Sequence, residues 1–183
     1  MTVAGNGLEA HICETRNPGG AFMEIEVKIR GLMMDPVTNM PIVILKDTNG
    51  NAVLPIWVGV YEANAIALEI EKVATPRPMT HDLIKNVLLG LNTTVRKVVV
   101  NDLRDETYYA LIWLEQDGQV ISIDSRPSDA LAVALRLDCP IYVEESVFKN
   151  SKLANTTNEK AASDELRKWL ENLNDEDMGR YKM

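Results

Sequence analysis

The chain reads as an α/β (α+β) protein: a mixed sheet built from two β-β-β-α units, with additional helices. Three observations predict this. Apolar and polar residues alternate in several short runs, the period of half-buried strands. Two Gly-containing dipeptides, Asn49-Gly50 and Asp117-Gly118, separate such runs and read as hairpin turns. The pattern also restarts. A slide of 65 residues matches Ile56 with Ile121, Val58 with Ile123, Ala65 with Ala130 and Ala67 with Ala132. The two turns coincide at a slide of 68, so the copies differ by a three-residue gap. A duplicated unit leaves such a trace, and so would two meander-plus-helix units of separate origin.

Residues 23–34 set Ile25, Val27 and Ile29 against Glu24, Glu26, Lys28 and Arg30, a strand with one wet face. Residues 41–46 form a short apolar strand, and 52–58 return after the turn. Residues 61–73 carry Ala63, Ile66, Ala67 and Ile70 on one helical stripe, which Pro76 and Pro78 stop. Thr80 reads as the cap of a helix reaching about Leu91, with Leu83, Ile84, Val87, Leu88 and Leu91 facing inward. In the second unit, 95–103, 108–114 and 119–124 read as strands. The helix over 127–138 follows; its Ala, Leu and Val residues leave no outward polar face, so it is expected to be the most buried. Residues 140–143 make a last short strand.

Three segments complete the plan: 1–22, 23–149 and 150–183. The first lacks periodicity and a basic-then-apolar signal pattern, and reads as a disordered or non-native extension. Residues 150–160 read as a polar linker. About 159–173 is amphipathic, with Leu166, Trp169, Leu170 and Leu173 on one stripe, and needs a surface to dock on.

Composition narrows the function classes. The chain is 46% hydrophobic and 25% charged, ordinary for a globular domain. No apolar run reaches the length of a membrane span, so no membrane association is expected. Cys13 and Cys139 are the two cysteines, one in the extension and one in an apolar context. That pattern suits neither a disulfide framework nor a zinc site and points to a reducing cytoplasm. Net charge is −8, and residues 23–149 alone hold 12 basic and 18 acidic side chains. Phosphate neutralisation drives non-specific nucleic-acid binding, so this balance opposes tight binding of that kind.

Two polar clusters stand at helix starts. Asp124, Arg126, Ser128 and Asp129 crowd the start of the 127–138 helix, and Arg77-Pro-Met-Thr-His-Asp-Leu83 opens the helix before the second unit. Both place acids at the positive end of a helix dipole. Together with Leu54-Pro-Ile-Trp-Val-Gly59, the stretches Arg77 to Leu83 and Arg126-Pro-Ser-Asp-Ala-Leu-Ala-Val-Ala-Leu-Arg136 resemble the three motifs of the bifunctional nuclease domain family, in the family's order and spacing. The resemblance covers residues 23–149. It implies a nuclease hydrolysing phosphodiester bonds of DNA and RNA.

Such hydrolysis needs a nucleophilic water, charge stabilisation at phosphorus and help for the leaving group, all of which carboxylate-bound Mg²⁺ or Mn²⁺ supplies. Glu62, Asp82, Asp124 and Asp129 are the carboxylates for this, with Asp82, Asp124 and Asp129 as the expected metal ligands. Glu62 and Asp129 stand in matching places of the two units. The competing reading has Asp82 and Asp129 complementing helix dipoles. His81, the one histidine of residues 23–149, is a candidate general base. Arg77 and Arg126, each stiffened by a following proline, are candidate phosphate ligands. Arg77–Asp129 or Arg126–Asp82 ion pairs are the structural alternative. Ser128 is positioned to donate to a phosphate at a helix N-terminus. Trp57, Trp113, Tyr108 and Tyr109 lie on strands, where core or subunit contact outweighs base stacking. Two functions remain open: the nuclease, and a non-catalytic oligomeric module binding a partner or small anionic ligand. A homo-oligomer, dimer or trimer, is expected from the strand aromatics and Met33 and Met34.

Overall fold

Residues 23–36, 38–50 and 52–157 are described in the computed structural model. β1 (Glu24–Met34), β2 (Pro41–Asp47) and β3 (Val53–Trp57) form a meander that runs into α1 (Val60–Ile70). After α2 (Thr80–Gly90) the plan repeats: β4 (Thr94–Arg104), β5 (Thr107–Gln116) and β6 (Gln119–Ser125) lead into α3 (Pro127–Leu137). β7 (Ile141–Glu144) and α4 (Glu145–Thr157) close the described chain.

The sheet order is β3-β2-β1-β7-β4-β5-β6. β7 pairs antiparallel with β1 and parallel with β4, which makes the sheet mixed. The two meanders thus flank β7 with their third strands at opposite edges. Each edge strand feeds a helix, and the two helices, α1 and α3, pack on one another. The repeated setting expected from the sequence is present. The helix starts fix its register: the N-caps are Gly59 and Arg126, which aligns Glu62 with Asp129. The 65-residue slide misses this match by two positions.

Alternation and turn chemistry explain the strands. Asp117 and Gly118 both take positive φ, 51° and 77°, as a two-residue hairpin turn requires. Val43, Leu45, Leu54 and Ile56 of the first meander join Val98, Val100, Ala110 and Leu114 of the second in one core. The helices close it with Ala63, Ile66 and residues 130–134. α3 is the most buried helix, with eight of its eleven residues inside. Small alanines on α1 and α3 let the backbones approach closely.

Three elements depart from expectation. α1 stops at Ile70 because the chain turns at Lys72, where φ is 53°. Thr80 is not the cap of α2. Met79 holds that place, and its N–H donates to the Asp82 carboxylate at 2.8 Å. The apolar stripe of α2 does not face inward: Leu83 and Leu91 are each 58% exposed and Val87 50%, and Ile84 is exposed too. Only His81 is buried on this helix, and Leu88 is partly covered. The reason is that α2 docks on α3 through polar side chains, described below, which turns its apolar side outward. Over 150–157, where a linker is expected, α4 runs on to Thr157, anchored by buried Val147, Phe148 and Ser151; 158–160 lie outside the described residues. The 1–22 extension and the 159–173 amphipathic pattern lie outside the described residues.

Because α3 sits in a close-packed layer, added volume there forces neighbours apart. Ala130→Leu, at a fully buried site, is expected to destabilise the fold by about 1–3 kcal/mol, read from the urea unfolding midpoint. An unchanged midpoint would contradict the close helix contact.

Candidate functional site

Each of α1, α2 and α3 carries an acid at its third helical position: Glu62, Asp82 and Asp129. A carboxylate there faces unpaired backbone N–H groups and the positive dipole end. The fold brings these starts together through two sets of contacts.

The first set runs Glu62, Arg126, Asp129, His81. Arg126 Nη1 lies 2.9 Å from Glu62 Oε1. Its Nε donates to Asp129 Oδ2 at 2.7 Å and its Nη2 to Asp129 Oδ1 at 3.1 Å, a bidentate pair. His81 Nε2 lies 3.1 Å from the same Asp129 Oδ1. Gly59 keeps this geometry available, since a methyl group there would collide with Glu62 Oε2. The cluster is not sealed. The Arg126 side chain is 65% exposed, while Glu62 and Asp129 are half-buried and His81 is buried.

The second set centres on Arg136. Its Nε donates to Asp82 Oδ1 at 2.6 Å, its Nη1 to the Ala132 carbonyl at 3.0 Å and its Nη2 to the Ala65 carbonyl at 3.1 Å. One buried guanidinium therefore ties α2, α3 and α1 together. Sequence reading gave Arg136 no role. The available signal was a lone guanidinium in 130–137, a stretch otherwise made of small and apolar residues.

The charges follow these contacts. The Met79 N–H holds the Asp82 carboxyl below its ordinary pKa; burial opposes this and Arg136 adds to it. At Asp129 burial pushes upward, but the hydrogen bonds from Arg126 and His81 outweigh it and the net shift is downward.

The remaining expected residues fall as follows. Ser128 is buried at the second position of α3. Arg77 is exposed and stands apart from the first set; it lines an open cavity of about 340 Å³ with Val73, Met79, Asp82 and Arg136. Asp124 is exposed on β6, opposite Leu111. The ion pairs formed are Arg126–Asp129 and Arg136–Asp82, not Arg77–Asp129 or Arg126–Asp82. Among the described residues no group of three His, Cys, Asp or Glu side chains is gathered closely enough to hold a metal, so Asp82, Asp124 and Asp129 do not form such a set. The strand aromatics have internal partners. Trp57 Nε1 donates to Asp35 at 2.9 Å, Lys97 lies over the rings of Trp113 and Tyr142, Arg104 lies over Tyr109, and burial pushes the Tyr108 hydroxyl up to about 12.

A lowered folded-state pKa gives stability that is present above the unfolded value and lost as pH falls toward the folded one. Asp82→Asn leaves Arg136 buried without its counter-charge and should cost about 2–3 kcal/mol at pH 7. The gap to wild type should begin to narrow below about pH 4, where the carboxylate of the unfolded chain takes up its proton before the folded one does. Parallel stability curves from pH 7 to pH 3 would refute the assignment.

The family model described as "Bifunctional nuclease domain" matches residues 43–156, which takes in both sets of contacts. An uncharacterized protein of Mycobacterium tuberculosis is 39% identical over 154 residues, 81% of this chain and 92% of the relative. Bifunctional nuclease 1 of Oryza sativa subsp. indica is 26% identical over 66% of this chain, and Bifunctional nuclease 1 of Arabidopsis thaliana 30% over 57%. The matched region spans only 38% and 34% of those two plant proteins. With its two β-β-β-α units and the matched domain covering most of its length, the chain belongs to the bifunctional nuclease domain family.

Proposed function

We propose that this chain hydrolyses phosphodiester bonds of DNA and RNA, with Arg126, Asp129, His81 and Glu62 as the working group. The observation that carries the reading is a solvent-facing guanidinium fixed by two carboxylates, with a histidine on one of them. Nuclease family membership supplies the reaction class. With Nε2–H directed at Asp129, His81 keeps Nδ1 as proton acceptor. Water attacks phosphorus, its proton passes to His81, and the ester P–O bond breaks toward the leaving oxygen, which receives the proton back. Arg126, held rigid by Glu62 and Asp129, meets the charge that builds on the phosphoryl oxygens. The rim of this acidic chain gives little general attraction for phosphate, so binding relies on Arg126 locally.

Among the described residues no carboxylate set is gathered closely enough to build a centre for Mg²⁺ or Mn²⁺. The cytoplasm is the proposed location. No described helix is long and apolar enough to cross a membrane.

A second reading has one specific observation in its favour: every acid in the cluster already has a cation or N–H partner, as in a purely structural tie binding a partner or small anion. Turnover separates the two. Purified protein is given single-stranded DNA and RNA, with Mg²⁺, with Mn²⁺ and with a chelator. His81→Ala should lose about 10²–10⁴-fold in rate, and Asp129→Asn should follow it while remaining folded by circular dichroism. Equal rates for wild type and Asp129→Asn, or no turnover under any condition, would leave the binding-module reading standing.

A further inference from the structure

We infer that the outward face of α2 is a two-fold contact surface for a second copy of this chain. This goes beyond the nuclease reading and does not depend on it. Leu83, Val87 and Leu91 recur every four residues on a solvent-facing side of the helix, and Ile84 stands beside them. Ile84, Val87 and Leu91 also follow the 3-4 spacing by which helices interlock. Together these four side chains leave on the order of a few hundred Å² of contiguous apolar surface in water, a patch of the size that is often functional. Surface of that order on each of two copies is less than a specific interface buries, so residues flanking the stripe must be buried with it.

The face fits a copy of itself. In an antiparallel pair with the two-fold axis at Val87, Leu83 of one copy opposes Leu91 of the other, and Ile84 opposes Gly90. Gly90 does not take a positive φ, and a methyl group added to it would meet no described atom within 4 Å. No described contact within the subunit therefore calls for glycine at this last position of the helix. A hollow that receives Ile84 of the second copy accounts for it. Charge argues the same way. The chain carries −8, so two copies repel through most surfaces. From Leu83 to Leu91 the only charged side chain is Lys85, so this is where like-charged copies can meet. The homo-oligomer expected from strand residues is thereby moved to a helix. The site gains from it: α2 carries His81 and Asp82, and a second copy would hold that helix on its outer side as α3 holds it on its inner side.

The test uses the full chain. Sedimentation equilibrium should return about twice the 20.4 kDa of one chain. Val87→Glu, at a site half exposed in the single subunit, should leave the circular dichroism spectrum unchanged and weaken the dimer by about 100-fold or more. A monomeric wild type overturns the proposal, as does a Val87→Glu protein that still dimerises. A wild type that becomes dimeric only after residues 158–183 are removed also overturns it, because the chain's own tail would then be the occupant. Cross-linking gives an independent readout. In a Cys13→Ser background, Val87→Cys should oxidise to a covalent dimer across the axis, while Arg96→Cys on β4 should not. Cys139 is a poor competitor, its thiol pushed up by burial to about 11. Equal cross-linking of the two variants would also defeat the proposal.

Discussion

Arg136 places a guanidinium where almost no water reaches it. Such a group is tolerated only if acceptors replace the water, because an unpaired buried charge is far more costly than a paired one. The fold supplies three acceptors from three helices: the Asp82 carboxylate and the carbonyls of Ala132 and Ala65. None can move far without stranding the guanidinium. The relative placement of α1, α2 and α3 is fixed around this one side chain, and the helix starts bearing Glu62, Asp129 and His81 are fixed with it. The contact also explains how α2 is held at all. With its apolar side in water, it is fastened by Asp82, His81 and the partly buried Leu88.

Arg126 is the exposed counterpart. Both arginines bind an acid at the third position of a helix, but Arg136 does so inside the protein and Arg126 at its edge. Burial spends all the useful directions of one guanidinium on the fold. Exposure leaves the other able to meet a ligand while two carboxylates hold it still. The same chemistry serves structure in one place and, in the function proposed here, recognition in the other, and solvent access separates the two settings.

The sheet sets the distance between the two halves. β7 is inserted between β1 and β4, so the meanders do not pair directly; their helices meet across the core instead. This makes equivalent positions of the two units neighbours. Glu62 and Asp129, one from each unit, come to share Arg126. A repeat in sequence has become a shared contact in space, though the second unit alone supplies the arginine.

The strands, the hairpin at Asp117-Gly118, the buried α3 and the two-unit plan were legible in the sequence because each depends on local physics: a period of two, a positive φ, a helix with no polar side. The importance of residues 77–83 and 126–136 was legible as polar crowding at helix starts. The partners within those clusters were not. Arg126 takes Asp129 three residues away and Glu62 from another helix, while Asp82 takes Arg136 from 54 positions along the chain. Periodicity reports that a helix has an apolar side but not which way that side turns. In α2 the ion contacts at its start, with His81 and Asp82 against α3, outweighed the pull of Leu83, Val87 and Leu91 toward the core. Sequence alone determined which elements form and where their polar ends lie. The tertiary structure decided which charges are neutralised and which stay open to solvent, because pairing and burial depend on distances between segments that no local pattern encodes.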